Sequence, residues 1–207
     1  MILFIDIETT GLPEQELKSD GRKHYYPFNN YHKYDNSRIV QFSFLLYEKN
    51  GTMLEQHDYI IKPNNFIIPA ESTKIHHITQ EYALDNGIDI NEAMNIFEEI
   101  LEKTKLIVMH NTWFDKTIIL SEASRLQNQN VIDKMLNTNY FCTMRDTKNI
   151  LKIPSQYYNG YKNPKLTELH NFLFQKTIDP KYLHNSLNDA KITAKCFFKL
   201  LKKGLIH

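Results

Sequence analysis

Cysteine is almost missing from this 207-residue chain: there are two, Cys142 and Cys196, in separate segments and without metal-site spacing. That argues against a disulfide framework or a zinc site, and a reducing, cytoplasmic compartment fits best. Excess charge is missing too. Lys and Arg number 25 against 24 Asp and Glu, a formal net charge of +1, so no global field draws the chain to nucleic acid and any basic groove must be local. Long apolar runs are also missing: nothing approaches the ~20 residues that cross a bilayer. The start, MILFIDIETTGL, puts acids straight after a very short apolar stretch, unlike a secretory leader. No internal repeat or linker-like stretch interrupts the sequence.

What is present is a globular composition, 42% hydrophobic and 24% charged, too apolar for a disordered chain and of a length that favours one domain over residues 1–207. Residues 2–8 read as a buried strand ending in acid, and 38–48 and 52–62 as two more, turning at Asn50-Gly51. Short helical stretches follow Pro69. Near 91–103, Ala93, Ile96, Phe97, Ile100 and Leu101 share one helical face. A strand at 106–110, a helix at 113–126 and a strand at 140–144 come next, then helices at 145–151, 165–174 and 187–203. In the last, Ala190, Ala194, Phe197 and Leu201 form an apolar stripe opposite Lys191, Lys195, Lys199 and Lys202. Three strands followed by alternating helix and strand predict an α/β fold with a mixed five-stranded sheet flanked by helices.

Two features of the strand order carry chemistry. Asp6 and Glu8 are two apart in a strand, so their carboxylates emerge on one face while Ile5 and Ile7 point the other way. Such crowding is unfavourable unless a cation neutralises it, and oxygen-only ligands suit a hard ion such as Mg²⁺ or Mn²⁺; the plain alternative is an acidic strand end facing water. The segment 18–37 looks inserted between the first two strands and mixes Lys18, Arg22, Lys23 and Lys33 with Tyr25, Tyr26, Phe28, Tyr31 and Tyr34. Such a mixture tracks a single nucleic-acid strand, or it folds its aromatics onto the domain, which is the favoured reading.

Farther along stand His110-Asn111-Thr112-Trp113-Phe114-Asp115 and His184-Asn185-Ser186-Leu187-Asn188-Asp189. Taken singly, Thr112/Asp115 and Ser186/Asp189 have the spacing of helix capping boxes, and Trp113 and Phe114 read as core. Taken together with Asp6-Ile7-Glu8-Thr9-Thr10-Gly11-Leu12, the segments resemble, in order, the three motifs of the DEDDh branch of the DnaQ-like exonucleases, which include polymerase III epsilon subunits and ribonuclease T. A pattern such as HNxxFD arises by chance in roughly one in a thousand chains of this length. The histidine precedes the last aspartate by five positions; the tyrosine branch would need a tyrosine where Asn185 stands.

The resemblance spans nearly the whole chain and implies a ribonuclease H-like fold, two divalent cations and 3′→5′ hydrolysis of a strand with a free 3′ end, single-stranded by preference; it does not distinguish DNA from RNA, and DNA is the reading favoured here. Asp6 would bridge both ions, Glu8 and Asp189 would complete one site, and Asp115 would hold the other ion through water. His184 would be the general base, its ordinary pKa of about 6.5 lying near working pH. Thr9, Gly11, Leu12, His76 and Asn111 would contact substrate, with Leu12 wedged against the terminal bases. Ile75-His76-His77-Ile78 departs from the family's His-Gly-Ile by placing His77 where glycine is usual. Some relatives join polymerases and others form homodimers. The alternatives are an RNA-trimming enzyme, an endonuclease that would cut circular single strands, and a non-catalytic nucleic-acid or polymerase-binding module that would retard a strand without shortening it.

Overall fold

The computed structural model describes residues 1–19, 21 and 23–206. Strand β1 (Ile2–Thr9) precedes a small hairpin of β2 (Gln15–Leu17) and β3 (Lys23–Tyr25), then β4 (Ile39–Tyr47) and β5 (Met53–Ile60). Helices α1 (Ala70–His76), α2 (Gln80–Asn86) and α3 (Ile90–Glu102) lead to β6 (Leu106–Met109), α4 (Thr112–Arg125), α5 (Gln129–Asn137) and β7 (Asn139–Cys142). After these come α6 (Lys148–Leu151), α7 (Leu166–Phe174) and α8 (Ser186–Lys202). The sheet order is β5-β4-β1-β6-β7, with β4 antiparallel and β6 parallel to β1. This is the mixed five-stranded α/β sheet that the element order predicts, in the ribonuclease H-like form that the resemblance implies. No helix among the described residues is long and apolar enough to cross a membrane.

The two-residue period of β1 divides the protein into two apolar layers. Leu3, Ile5 and Ile7 face one layer with Phe42, Phe44 and Leu46, closed by Phe97 of α3 and by Ile118 and Ile119 of α4. Ile2 and Phe4 face the other, where Ala190, Ala194 and Phe197 of α8 cover them. The same parity carries on to Asp6 and Glu8, which stand opposite Ser43 and Gln41 of β4. One face of the central strand thus turns from apolar, under the body of α8, to acidic, under its first turn.

Several elements differ from the sequence expectation. Nothing was expected between 126 and 140, yet α5 forms there because Val131, Ile132 and Met135 make a short apolar stripe that joins the first layer. The helix expected over 145–151 shrinks to α6, because the residues before it are committed to a turn: Asp146 Oδ2 accepts the Cys142 N–H at 2.9 Å and Thr147 Oγ1 donates to the Thr143 carbonyl at 2.6 Å. Trp113 is not core but 63% exposed. Two residues of helix rotate a side chain by roughly half a turn, so bringing Asp115 inward sends Trp113 out.

The aromatics of the 18–37 segment largely fold onto the protein. Tyr34 is fully buried and its hydroxyl donates to the Tyr26 carbonyl, while Tyr25, Tyr26 and Phe28 pack against the first layer. Lys33 pairs with Glu14 at 2.8 Å. Arg22 lies outside the described residues.

One buried ion pair locks the acidic end of the sheet to α4. Glu122, 2% exposed, accepts Arg38 Nε at 2.5 Å and Nη2 at 3.1 Å. The backbone of Arg38 is in turn bonded to Thr10: Thr10 N–H donates to its carbonyl and its N–H donates to Thr10 Oγ1, both at 2.9 Å. A buried carboxylate without its partner is costly, so Arg38→Met is expected to lower stability by about 3 kcal/mol in urea unfolding, and adding Glu122→Leu to recover most of it. A loss under about 1 kcal/mol would mean that Arg125, 3.6 Å from the same carboxylate, suffices alone.

Candidate active site

Strands β1 and β6 are paired only as far as Phe4 and Val108, so the sheet opens beyond that point and Asp6 sits at the opening. The first turn of α4 follows β6 directly and delivers Asp115; the first turn of α8 crosses the same face and delivers Asp189. Carboxylate oxygens of Asp6, Glu8 and Asp189 lie within 4.8 Å of one another. Asp115, 3% exposed, is outside that tight group but near enough for its charge to act on Asp6 and Glu8.

The electrostatic consequence is strong proton affinity. Burial, followed by the charges of Asp115, Asp189 and Glu8, holds the Asp6 carboxyl well above its ordinary range. Burial and the charges of Asp189 and Asp115 push Glu8 up to about 8. Asp115 rises to about 8, mainly by burial, although its own N–H and that of Ile7 pull the other way. Asp189 rises to about 6, again by burial, opposed by the backbone and the imidazole of His184. Four raised carboxyls in one place mark a site built for positive charge that the protein does not itself supply.

Neither capping box forms. The N-cap of α4 is Asn111, in the left-handed region at φ 69° and ψ 49°, with no side-chain cap bond, and the Thr112 hydroxyl is buried without a partner among the described residues. The N-cap of α8 is Asn185, whose side chain accepts the Asn188 N–H at 3.1 Å. Neither Asp115 nor Asp189 therefore serves in a capping box. Asp189 Oδ2 accepts the His184 N–H at 3.2 Å, and its Oδ1 is buried with no partner among the described residues. His184 itself is exposed, in the left-handed region at φ 58°.

A polar network, buried at Gln41, Ser43 and Ser186 and reaching the surface at Asp58, seats α8, and the sequence reading missed it. Gln41 Oε1 accepts the Ser186 N–H at 3.1 Å, so a side chain of β4 satisfies one of the free N–H groups at the helix start. Gln41 Nε2 donates to Asp58 Oδ1 at 2.8 Å, which also accepts Ser43 Oγ at 2.7 Å. With its proton so engaged, Ser43 accepts from Ser186 Oγ at 2.6 Å. The available signal was two polar residues, Gln41 and Ser43, in an otherwise apolar strand.

The remaining predicted residues divide. Thr9 Oγ1 and Ser37 Oγ both donate to the Gly11 carbonyl, at 2.9 and 2.7 Å. A Cβ on Gly11 would stand 3.0 Å from the Asn36 carbonyl oxygen, a crowding that, with φ at 157°, favours glycine here. Leu12 projects at 69% exposure. His76 is instead 5% exposed; its Nδ1 accepts the Ile78 N–H at 3.1 Å, and burial depresses its pKa to about 4 against an opposing effect of the Thr9 backbone. Its ring backs the first motif rather than facing solvent. His77, exposed and left-handed at φ 62°, occupies a conformation in which glycine is at ease.

A family model described as exonuclease, RNase_T, matches residues 3–197. The DNA polymerase III epsilon subunit of Buchnera aphidicola subsp. Schizaphis graminum is 27% identical over 197 residues, covering 95% of this chain and 72% of that protein. A PolC-type DNA polymerase III of Caldanaerobacter subterraneus is 29% identical over 157 residues, 75% of this chain but 10% of that protein. Among solved structures, exonuclease X in complex with 5′-overhanging duplex DNA superposes with a TM-score of 0.60 at 16% identity, over 100% of this chain and 95% of that one. E. coli exonuclease I with a dA16 oligonucleotide gives 0.66 at 16% identity, over 98% of this chain and 40% of that one. With the family model covering nearly its full length, the chain belongs to the exonuclease family, as a DnaQ-like 3′–5′ exonuclease.

Proposed function

We propose that the protein removes nucleotides from the 3′ end of a DNA strand, single-stranded by preference, and releases nucleoside 5′-monophosphates. The observation that carries this reading is the convergence of Asp6, Glu8 and Asp189 within 4.8 Å, from a strand and a helix far apart in sequence. The DNA complexes of the structural neighbours support the choice of DNA. The site fits hard divalent cations: its donors are all carboxylate oxygens, and Asp189 Oδ1 is buried with its hydrogen-bonding capacity unused among the described residues. Asp6, Glu8 and Asp189 would hold one Mg²⁺ or Mn²⁺, and Asp6 with Asp115 a second. Such ions supply activation of water and neutralisation of charge on the phosphate and the leaving oxygen.

The protein's own groups do the rest. His184, at the exposed rim and tethered through its N–H to Asp189, takes the proton of the attacking water as general base. Leu12, projecting beside the acids, separates the terminal base from its neighbours. Thr9 and Gly11 shape the turn on which the terminal nucleotide rests, with His76 behind it, and Asn111 holds the left-handed entry to α4.

Degradation of a 5′-labelled oligonucleotide tests the reading. With Mg²⁺, a ladder shortening from the 3′ end is expected. His184→Ala should slow it by at least about 100-fold while a calorimetric Mg²⁺ titration stays near wild type, and Asp6→Asn should abolish both. An unshortened, retarded strand would leave a binding module, and cutting of circular single strands an endonuclease.

Stability without metal follows from the raised carboxyls. Glu8 titrates near 8 in the folded protein against an ordinary 4.5, so between those values the folded state binds more protons than the unfolded one. Stability present at low pH is then lost as pH rises through the folded pKa. In chelator, the melting temperature is expected to fall by on the order of 5 °C from about pH 5.5 to about pH 8.5. Mg²⁺ should restore more at the higher pH, and Asp6→Asn should raise the melting temperature of the chelated protein at about pH 8. A flat profile would contradict the mutual repulsion of these acids.

A further inference from the structure

Beside the acids lies a cavity of about 570 Å³ that the proposed chemistry does not use. One wall comes from the 18–37 segment, through Tyr25, Tyr26 and Phe28, and the opposite wall from the outer face of α4, through Trp113. Resting on the function proposed above, we propose that this cavity is a nucleobase subsite, which takes one unpaired base of the strand being degraded and stacks it against Trp113.

Three observations converge on that occupant. The cavity is a neighbour of the acidic cluster: Trp113 and Asp115 share the first turn of α4, and Tyr25 is near enough to feel the Asp115 charge. A strand engaged at the acids is therefore within reach of it. Trp113 is 63% exposed, a cost in water that a flat π-partner would relieve, since aromatic side chains are the usual stacking platforms for single strands. Two cations lie at the same cavity: Lys116, 3.9 Å over the Tyr140 ring, and Arg145, whose side chain is 71% exposed and held by Asp146 at 2.9 Å. They suit the phosphates flanking a stacked base.

The volume lies in the range of small-ligand sites, roughly 300–1,000 Å³, ample for one nucleotide. A base must leave its stack to enter, which costs least from a single strand. The subsite would therefore favour unpaired DNA ends, and would do so through the 18–37 segment even though most of its aromatics pack inward.

Trp113 is the one tryptophan of the chain, so its fluorescence reads this cavity alone. The full-length protein in chelator, where cleavage is blocked, would be titrated with a single-stranded DNA oligonucleotide, and then with versions carrying one abasic residue at each position. Saturable quenching is expected, lost when the abasic residue occupies one or two adjacent positions and kept elsewhere. Trp113→Ala should weaken binding of a fluorescent oligonucleotide about tenfold by anisotropy, and Trp113→Phe should retain most of the affinity. Quenching indifferent to the abasic position, or unchanged affinity in Trp113→Ala with a wild-type melting curve, would overturn the subsite and leave the cavity to a protein partner. Failure of the exonuclease reading would be distinct: the wild-type protein with Mg²⁺ would leave the strand uncut, whatever the fluorescence reports.

Discussion

Four carboxylates pressed together repel one another, and much of this fold serves to hold them there. Burial and mutual charge raise the proton affinity of Asp6, Glu8, Asp115 and Asp189, so the arrangement costs stability at neutral pH until positive charge enters. The apolar layers on either face of the sheet offset that cost. The same strand serves both ends: Phe4 lies under α8 beside Phe197, and two residues later the same face of β1 carries an acid.

The acids arrive on three elements, and two of them, α4 and α8, are anchored by largely buried polar contacts. The Arg38–Glu122 pair binds α4 to the entry of β4, and through Thr10 to the turn after the first motif. Gln41, Ser43 and Asp58 seat the start of α8. A slip of α4 or α8 by one residue would rotate Asp115 or Asp189 by about 100°, away from the others. These contacts supply positional precision more than net stability, since buried polar groups gain little over the water they leave.

The surface beside the acids shows the same economy. Helix α4 turns Asp115 inward and Trp113 outward within one turn, so a single helical phase supplies both the acidic centre and an aromatic wall. The 18–37 segment works from the other side: Tyr34, fully buried, pins it down, while Tyr25 and Tyr26 keep part of their rings toward the shared cavity.

Period and motif settled much of this protein before any coordinates. The alternation in β1 placed Asp6 and Glu8 on one face, Asn50-Gly51 marked the β4–β5 turn, and the stripe of α8 foretold its packing, because each depends only on local backbone geometry. Local geometry also left real ambiguities. The spacing of Thr112 with Asp115 and of Ser186 with Asp189 fits a capping box as well as a ligand, and only the folded chain, with Asn111 and Asn185 at the caps, decided between them. Tertiary contacts alone revealed α5, the outward Trp113, the buried His76, and the roles of Gln41 and Glu122. In each of these the deciding partner lies on another element, tens of residues away in the chain.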